Sequence, residues 1–399
     1  VITPLKVLTG GEVWINGRLT QAEISFGESI EKIGNDLDGE RISCSGLVIL
    51  PGMIDAHVHF RDFKDSHKED WQSAGKAAVK GGVTTVLEMP NTNPPTTTLE
   101  MIKEKKKRAG ASAVNFGIYG GLTPENIKNI PEIAKQVTAF KLFMGETTGG
   151  LEIKSRSVQR EIFQRVAETR KVLAVHAQRL DSPSEASDIE IALEHALKSK
   201  AKLYLCHVRT QEGLQLAYDA KRDVDVTIET CPHYLFFARE DVEKRGAWLK
   251  VNPPITSGED REFLWEGLQK GMIDTLGSDH APHSQEEKSK PFDQAPFGLP
   301  GVETSLPLML NAVNKKRLSM ARLIEIFSEN PAKRFGYASK GRIAVGNDAD
   351  LIVVDLERKA CVERKNLATK CGWSPYETME LQGWPVMVFV GGKLVIDAR

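Results

Sequence analysis

The stretch Ile54-Asp55-Ala56-His57-Val58-His59-Phe60-Arg61 sets two histidines two residues apart and an arginine two residues beyond. Alternate residues of a strand point to one face. His57 and His59 can therefore converge on one cation, and imidazole nitrogen suits zinc, iron, nickel or copper. Alone, the pair has an equally ordinary reading as two histidines sharing a strand face. Further along, Asn91, Lys141, His176, His207, His233 and Asp279 each sit on or just after a short apolar run. Four of the histidines, Asp279 and Lys141 form a natural two-metal set, with His57, His59 and Asp279 for one ion and His176 and His207 for the other. Such a pair needs a bridging anion. Lys141 lies inside Ala139-Phe140-Lys141-Leu142-Phe143-Met144, and a buried ammonium is costly unless paired or chemically changed. A neutral amine is a nucleophile, and its reaction with carbon dioxide gives a carbamate, a bidentate carboxylate on a long stem. Two ions roughly 3.5–4 Å apart would share that carbamate and a hydroxide acidified by both charges. The alternative is an unmodified Lys141 in a salt bridge to Asp279 or Glu229.

The elements that must hold these groups alternate. From residue 47 to about 283 a short apolar strand, a polar turn and an amphipathic helix recur. The strands include Asp55-Ala56-His57, Thr84 to Glu88, Phe116 to Tyr119, Phe140 to Phe143, Leu173 to His176, Leu203 to His207, Val226 to Glu229 and Ile273 to Asp279. Ser66 with Glu69 and Ser257 with Asp260 have capping-box spacing, and Thr123-Pro124-Glu125 reads as a cap followed by proline. Eight such units predict a closed (β/α)8 TIM-type barrel over residues 51–334, whose reactive side chains stand at the C-terminal mouth of the strands. An open doubly wound sheet is the other α/β solution, but no Gly-x-Gly-x-x-Gly follows the first strand. Residues 1–50 and 335–399 instead carry short β-like runs broken by glycine, such as Val13 to Gly17 and Val386 to Gly392. Neither end can bury a core alone, so together they predict a small β-sandwich domain beside the barrel.

Lysine and arginine number 53 against 54 acidic residues, a balance with no electrostatic preference for nucleic acid or an anionic membrane. The longest apolar runs fall short of a spanning helix, and no secretory pattern opens the chain. Cys44, Cys206, Cys231, Cys361 and Cys371 are odd in number and scattered, which suits reduced thiols better than a disulfide framework. A cytoplasmic enzyme is the expectation.

The chain resembles the amidohydrolase superfamily and, within it, the dihydroorotases of pyrimidine biosynthesis. The resemblance runs through P-G-M-I-D-A-H-V-H-F-R (51–61), M-P-N-T-N-P-P (89–95), F-K-L-F-M-G (140–145), V-H-A-Q (175–178), C-H-V (206–208), E-T-C-P-H-Y-L (229–235), G-S-D-H-A-P-H (277–283) and G-L-P-G-V-E-T (298–304). The tail matches in G-R-I-A-V-G-N-D-A-D-L-I-V-V-D (341–355) and S-P-Y-E (374–377). The resemblance implies two zinc ions held by His57, His59, His176, His207 and Asp279, with Lys141 carboxylated by carbon dioxide as N6-carboxylysine. It implies that Arg61, Asn91 and His283 hold the substrate's carboxylate and ring, with Asn252 and Gly298 adding contacts. Residues 145–150 resemble the mobile loop of these enzymes, and Thr147 matches the threonine that closes over substrate. Three departures stand out: D-F-K-D after Arg61 where E-P-G is common, Gln178 where glutamate often follows H-A, and Cys231 where threonine or alanine is frequent. None removes a ligand.

The activity so implied is reversible hydrolysis of (S)-dihydroorotate to N-carbamoyl-L-aspartate, with Asp279 as the acid–base group. Arg61 offers a planar fork of donors suited to a carboxylate, which dihydroorotate has and hydantoin lacks. Allantoinase and hydantoinase are the competing readings. A homo-oligomer and a complex with aspartate transcarbamoylase are open. A scaffold without activity should lack part of the ligand set, which this chain keeps entire.

Overall fold

The computed structural model describes residues 5–147, 150–179 and 181–399. Its centre is an eight-stranded parallel sheet whose strands pair in sequence order: β1 (Met53–Val58), β2 (Val83–Glu88), β3 (Asn115–Gly121), β4 (Ala139–Phe143), β5 (Val172–His176), β6 (Lys202–Leu205), β7 (Val226–Thr230) and β8 (Thr275–Leu276). The last strand is only two residues long. Closure comes just past it, where Val58 bridges His280 in parallel register and His59 N donates to His280 O at 2.7 Å. The carboxylate of Asp55 ties the same seam, accepting from His57 N at 3.1 Å and Ser278 N at 3.0 Å. Burial raises Asp55 to about 6.

All eight strands expected from the sequence form, because every one is a buried run that needs helices on its outer face. Inside the barrel, Ile54, Leu87, Tyr119, Ala174, Tyr204 and Phe335 pack into one cluster, so the barrel is filled and its chemistry is confined to the mouth. Ser257 caps the helix Gly258–Lys270 by accepting from Asp260 N, as its spacing predicts. Thr123 opens a 3-10 turn, Pro124–Asn129, with the side chain of Asn126 closing the box. The expectation at Ser66 fails. That helix starts at Trp71, and Asp70 is its cap, accepting from Gln72 N and Ser73 N. Glu69 is unavailable for a capping box because it is fully buried and accepts the Lys370 N–H at 3.1 Å.

Both chain ends build the β-sandwich. Lys6–Thr9, Glu23–Phe26, Ile30–Gly34 and Glu40–Ser43 form one sheet; Glu12–Ile15, Arg18–Gln21, Val48–Pro51, Leu351–Cys361, Glu380–Val390 and Lys393–Asp397 form the other. Leu8, Ile24, Phe26, Ile49, Val353 and Phe389 share a core between them. Val48–Pro51 runs almost directly into β1, so the sandwich fixes the strand that carries His57. Among the described residues no helix is long and apolar enough to cross a membrane.

Candidate active site

Every expected metal-ligand side chain reaches the barrel mouth. His57 is the penultimate residue of β1 and His59 follows it, Lys141 lies on β4, His176 ends β5, and His207 and Asp279 follow β6 and β8. All six line one cavity of about 290 Å³, with Arg61, Asn91, Thr147, Asn252 and Gly298 around them. Each of the six is at least nine-tenths buried. His207, Asp279 and Arg61 have φ of 43°, 47° and 61°. Such conformations cost on the order of 1–3 kcal/mol each and persist only where the surroundings enforce them.

Hydrogen bonding fixes the tautomers. His57 Nδ1 donates to Glu229 Oε1 at 2.7 Å, and His59 Nδ1 donates to Asn91 Oδ1 at 2.8 Å. Both Nε2 atoms are therefore left with lone pairs, and both face Asp279 Oδ1, at 3.3 and 3.0 Å. Three acceptors converging in a buried site require positive charge among them, from a proton or a cation. The titration behaviour agrees. Burial alone would lower His57, yet the Glu229 and Asp279 carboxylates raise it well above the usual histidine range. Burial likewise would raise Asp279, but the charge on His57 and the His59 contact hold it well below the usual carboxylate range. His59 is pulled down to about 4 by burial, His176 to about 3 by burial and then Lys141, and His207 well down by burial and then His176. Neutral imidazoles are the ligating form.

The second pair has an opening of its own. His176 Nδ1 and His207 Nε2 are 3.0 Å apart, while the buried His176 Nε2 has no partner among the described residues. Lys141 is fully buried, and its Nζ contacts Cys206 Sγ at 2.8 Å. It pairs with neither Asp279 nor Glu229, so the salt-bridge alternative is not what the fold builds. Glu229 is instead the hub behind the site. Its carboxylate also accepts from Tyr204 OH at 2.7 Å and His207 N at 3.0 Å. These residues fit a metal-dependent hydrolase: a carboxylate between two imidazole lone pairs, an unpartnered imidazole nitrogen, and a hydrogen-bonded outer layer that orients the ligands.

The substrate-contact expectations land less uniformly. Arg61 is 5 % exposed, lines the cavity and makes no ion pair with any described carboxylate. Its Nε donates to Pro282 O and its Nη2 to His283 Nε2, both at 3.0 Å. His283 itself is not in the cavity wall. It stands behind Arg61, neutral because burial and then Arg61 push it down to about 3. Asn91 already spends Oδ1 on His59, and its Nδ2 donates to Thr147 Oγ1 at 3.2 Å. Asn252 Nδ2 donates to Glu146 O at 3.0 Å, leaving Oδ1 unpartnered. Gly298 has φ 137°, and a Cβ there would sit 2.3 Å from Ala281 O, so only glycine brings this backbone against Arg61. Thr148 and Gly149 of the expected loop lie outside the described residues. His233, at the end of the seventh unit, is buried beside Tyr234 and outside the cavity wall. Phe143 and Ala281, inside the quoted motifs, also line the cavity, as do Val251 and Phe297, which carried no sequence signal beyond their apolar character.

The chain matches the amidohydrolase family over residues 48–395. It is 36 % identical over 408 residues to the dihydroorotase of Halobacterium salinarum, covering 96 % of this chain and 95 % of that one. It is also 37 % identical over 402 residues to the L-hydantoinase of Paenarthrobacter aurescens, covering 91 % and 87 %. Among solved structures, the L-hydantoinase from Arthrobacter aurescens superposes with a TM-score of 0.93 at 33 % identity, covering 98 % of this chain and 96 % of that one. Geometry, sequence and superposition agree: the chain belongs to the amidohydrolase family and is a cyclic amidohydrolase.

Proposed function

We propose that the enzyme is a dihydroorotase, hydrolysing (S)-dihydroorotate reversibly to N-carbamoyl-L-aspartate and working toward ring closure in pyrimidine biosynthesis. The observation that carries this reading is Arg61. A guanidinium this buried, facing the substrate cavity without a carboxylate partner, is costly unless an anionic ligand completes it. The planar carboxylate of dihydroorotate matches its fork of donors. Hydantoin presents no such group.

His57, His59 and Asp279 would hold one zinc ion, and His176 and His207 the other, with Lys141 carboxylated between them. Bound there, the two ions supply Lewis acidity to the amide carbonyl and acidity to the attacking water. The chain's own groups do the rest. Asp279, held unprotonated by its histidine neighbours, accepts the water's proton and returns it to the departing ring nitrogen; in ring closure it runs the same transfer backwards. Arg61 fixes the carboxylate, and His283 and Pro282 O fix Arg61. Asn252, Thr147 and the Gly298 backbone would add contacts to the ring. Phe143 and Phe297 supply apolar wall that excludes water around it.

A hydantoinase reading is favoured by the similarity to the P. aurescens L-hydantoinase, and Arg61 separates the two. Arg61→Met should retain metal yet lose about 2–5 kcal/mol of transition-state stabilisation toward dihydroorotate, the range for breaking a desolvated charge pair. Loss of metal with unchanged substrate affinity would contradict the assignment.

A further inference from the structure

The segment that aims Arg61 is unusual. Arg61, Asp62 and Phe63 have φ of 61°, 49° and 48°, three consecutive left-handed residues with no glycine among them. L-residues resist that conformation, so something must hold the turn. Backbone bonds supply part: Asp62 N donates to Glu69 O at 3.1 Å and Lys64 N to Asn93 O at 3.0 Å.

The remainder comes from one face of the helix Leu99–Ala109. Lys105 and Arg108 are three residues apart and therefore neighbours on that face. Each meets a carboxylate joined to the chain next to Arg61: Glu88 by a hydrogen bond, Asp62 as the following residue. Lys105, fully buried, donates to Glu88 Oε1 at 3.5 Å and to Met89 O at 2.9 Å. Glu88 Oε2 in turn accepts the Phe60 N–H at 2.8 Å, on the near side of Arg61. On the far side, Arg108 Nη1 donates to Asp62 Oδ1 at 3.4 Å, and its guanidinium lies 4.8 Å over the Phe63 ring. Glu104 steadies Arg108 from outside at 2.9 Å. Asp62 is 5 % exposed, and its Oδ2 has no partner among the described residues, so Arg108 is the cation that holds this carboxylate. None of Lys105, Arg108, Glu88 or Asp62 lines the cavity.

We infer that Lys105 and Arg108 are positioning residues for Arg61: a two-cation clasp, outside the cavity, that keeps the left-handed turn closed and the guanidinium aimed at the substrate's carboxylate. The inference rests on the reading of Arg61 as the carboxylate anchor. It also gives the D-F-K-D segment a role. Phe63 at φ 48° excludes proline, whose φ is locked near −65°, so an E-P-G loop could not take the path this chain follows, and the path needs its own fastening.

Arg108 is 43 % exposed, so Arg108→Ala should fold, and Arg108→Lys keeps charge without the fork. The test measures kcat, KM and metal content of the full enzyme with dihydroorotate for Arg108→Ala, Arg108→Lys, Arg61→Met and the Arg108→Ala/Arg61→Met double variant. Binding of dihydroorotate to metal-stripped protein, followed by calorimetry, supplies a readout free of turnover. Arg108→Ala should raise KM and the calorimetric Kd about threefold to tenfold, with Arg108→Lys between it and wild type, and should add nothing in the Arg61→Met background. Metal content and kcat should hold. If Arg61→Met weakens dihydroorotate but Arg108→Ala does not, or the two effects simply multiply, the clasp is refuted and the substrate reading stands. If Arg61→Met leaves dihydroorotate binding untouched, the substrate reading falls and the clasp with it.

Discussion

Replacing Glu229 with glutamine removes a charge from behind the site while leaving its shape. Glu229 Oε1 accepts from both His57 Nδ1 and His207 N, and Oε2 accepts from Tyr204 OH. A glutamine can put its carbonyl oxygen where Oε1 stands and its NH2 toward Tyr204, whose hydroxyl can turn to Thr275 Oγ1 at 2.9 Å. The hydrogen bonds thus have a satisfied arrangement, and the loss is chiefly electrostatic. Exchanging a charge-assisted bond to a ligating histidine for a neutral one costs about 1–1.5 kcal/mol, which is about a tenfold loss of metal affinity and at the low end for outer-layer substitutions. A second effect opposes it near neutrality. Glu229 raises His57 above its usual range, so a proton must leave His57 before metal binds, and affinity in the wild type climbs with pH until His57 has titrated. The glutamine variant binds that proton less tightly and has less to displace. The deficit of Glu229→Gln should therefore be small near neutrality, where His57 still holds its proton, and approach its full tenfold at a pH high enough for His57 to have lost it. Competition against a chromophoric chelator at the two pH values measures this directly. Equal affinity of both proteins at both values, or a deficit that shrinks as pH rises, would refute the reasoning.

Two further outcomes follow from the ligand geometry. If Lys141 is carboxylated as proposed, Lys141→Ala should lose activity and at least one metal ion, with partial rescue by short carboxylic acids; activity with full metal content in that variant would contradict the proposed bridging role. Asp279→Asn should abolish turnover in both directions, because an amide cannot carry the proton between water and ring nitrogen; substantial activity with metal retained would move the acid–base role elsewhere.

Much of this site was legible in the sequence because barrels make it so. A strand end followed by a polar residue is a place at the mouth, which is why His57, His59, Lys141, His176, His207 and Asp279 converge as their spacing predicts. What lay hidden depends on contacts between distant segments. In the sequence Glu229 stands only as a possible partner for Lys141, and its place behind both His57 and His207 exists only once β1, β6 and β7 close. Cys206 is one of five scattered cysteines in the sequence, yet its sulfur contacts Lys141. His283, expected on the substrate, lies outside the cavity wall, with Nε2 against Arg61 and Phe297 O. The capping spacing of Ser66 and Glu69 misled for a related reason: Glu69 is claimed by backbone three hundred residues away, near Lys370. The left-handed turn at Arg61–Phe63 left no trace in composition, since none of its residues is glycine or asparagine.

If Arg61 anchors the substrate as proposed, a carboxylate-bearing ring should be preferred over an uncharged one. Initial rates on dihydroorotate, hydantoin and allantoin, measured side by side on one preparation whose metal content is known, test it most directly. Dihydroorotate should be turned over with a kcat/KM far above the other two, at two metal ions per chain, and that preference should collapse in Arg61→Met. Hydantoin or allantoin turned over as well as dihydroorotate by the fully metallated wild type would contradict the account.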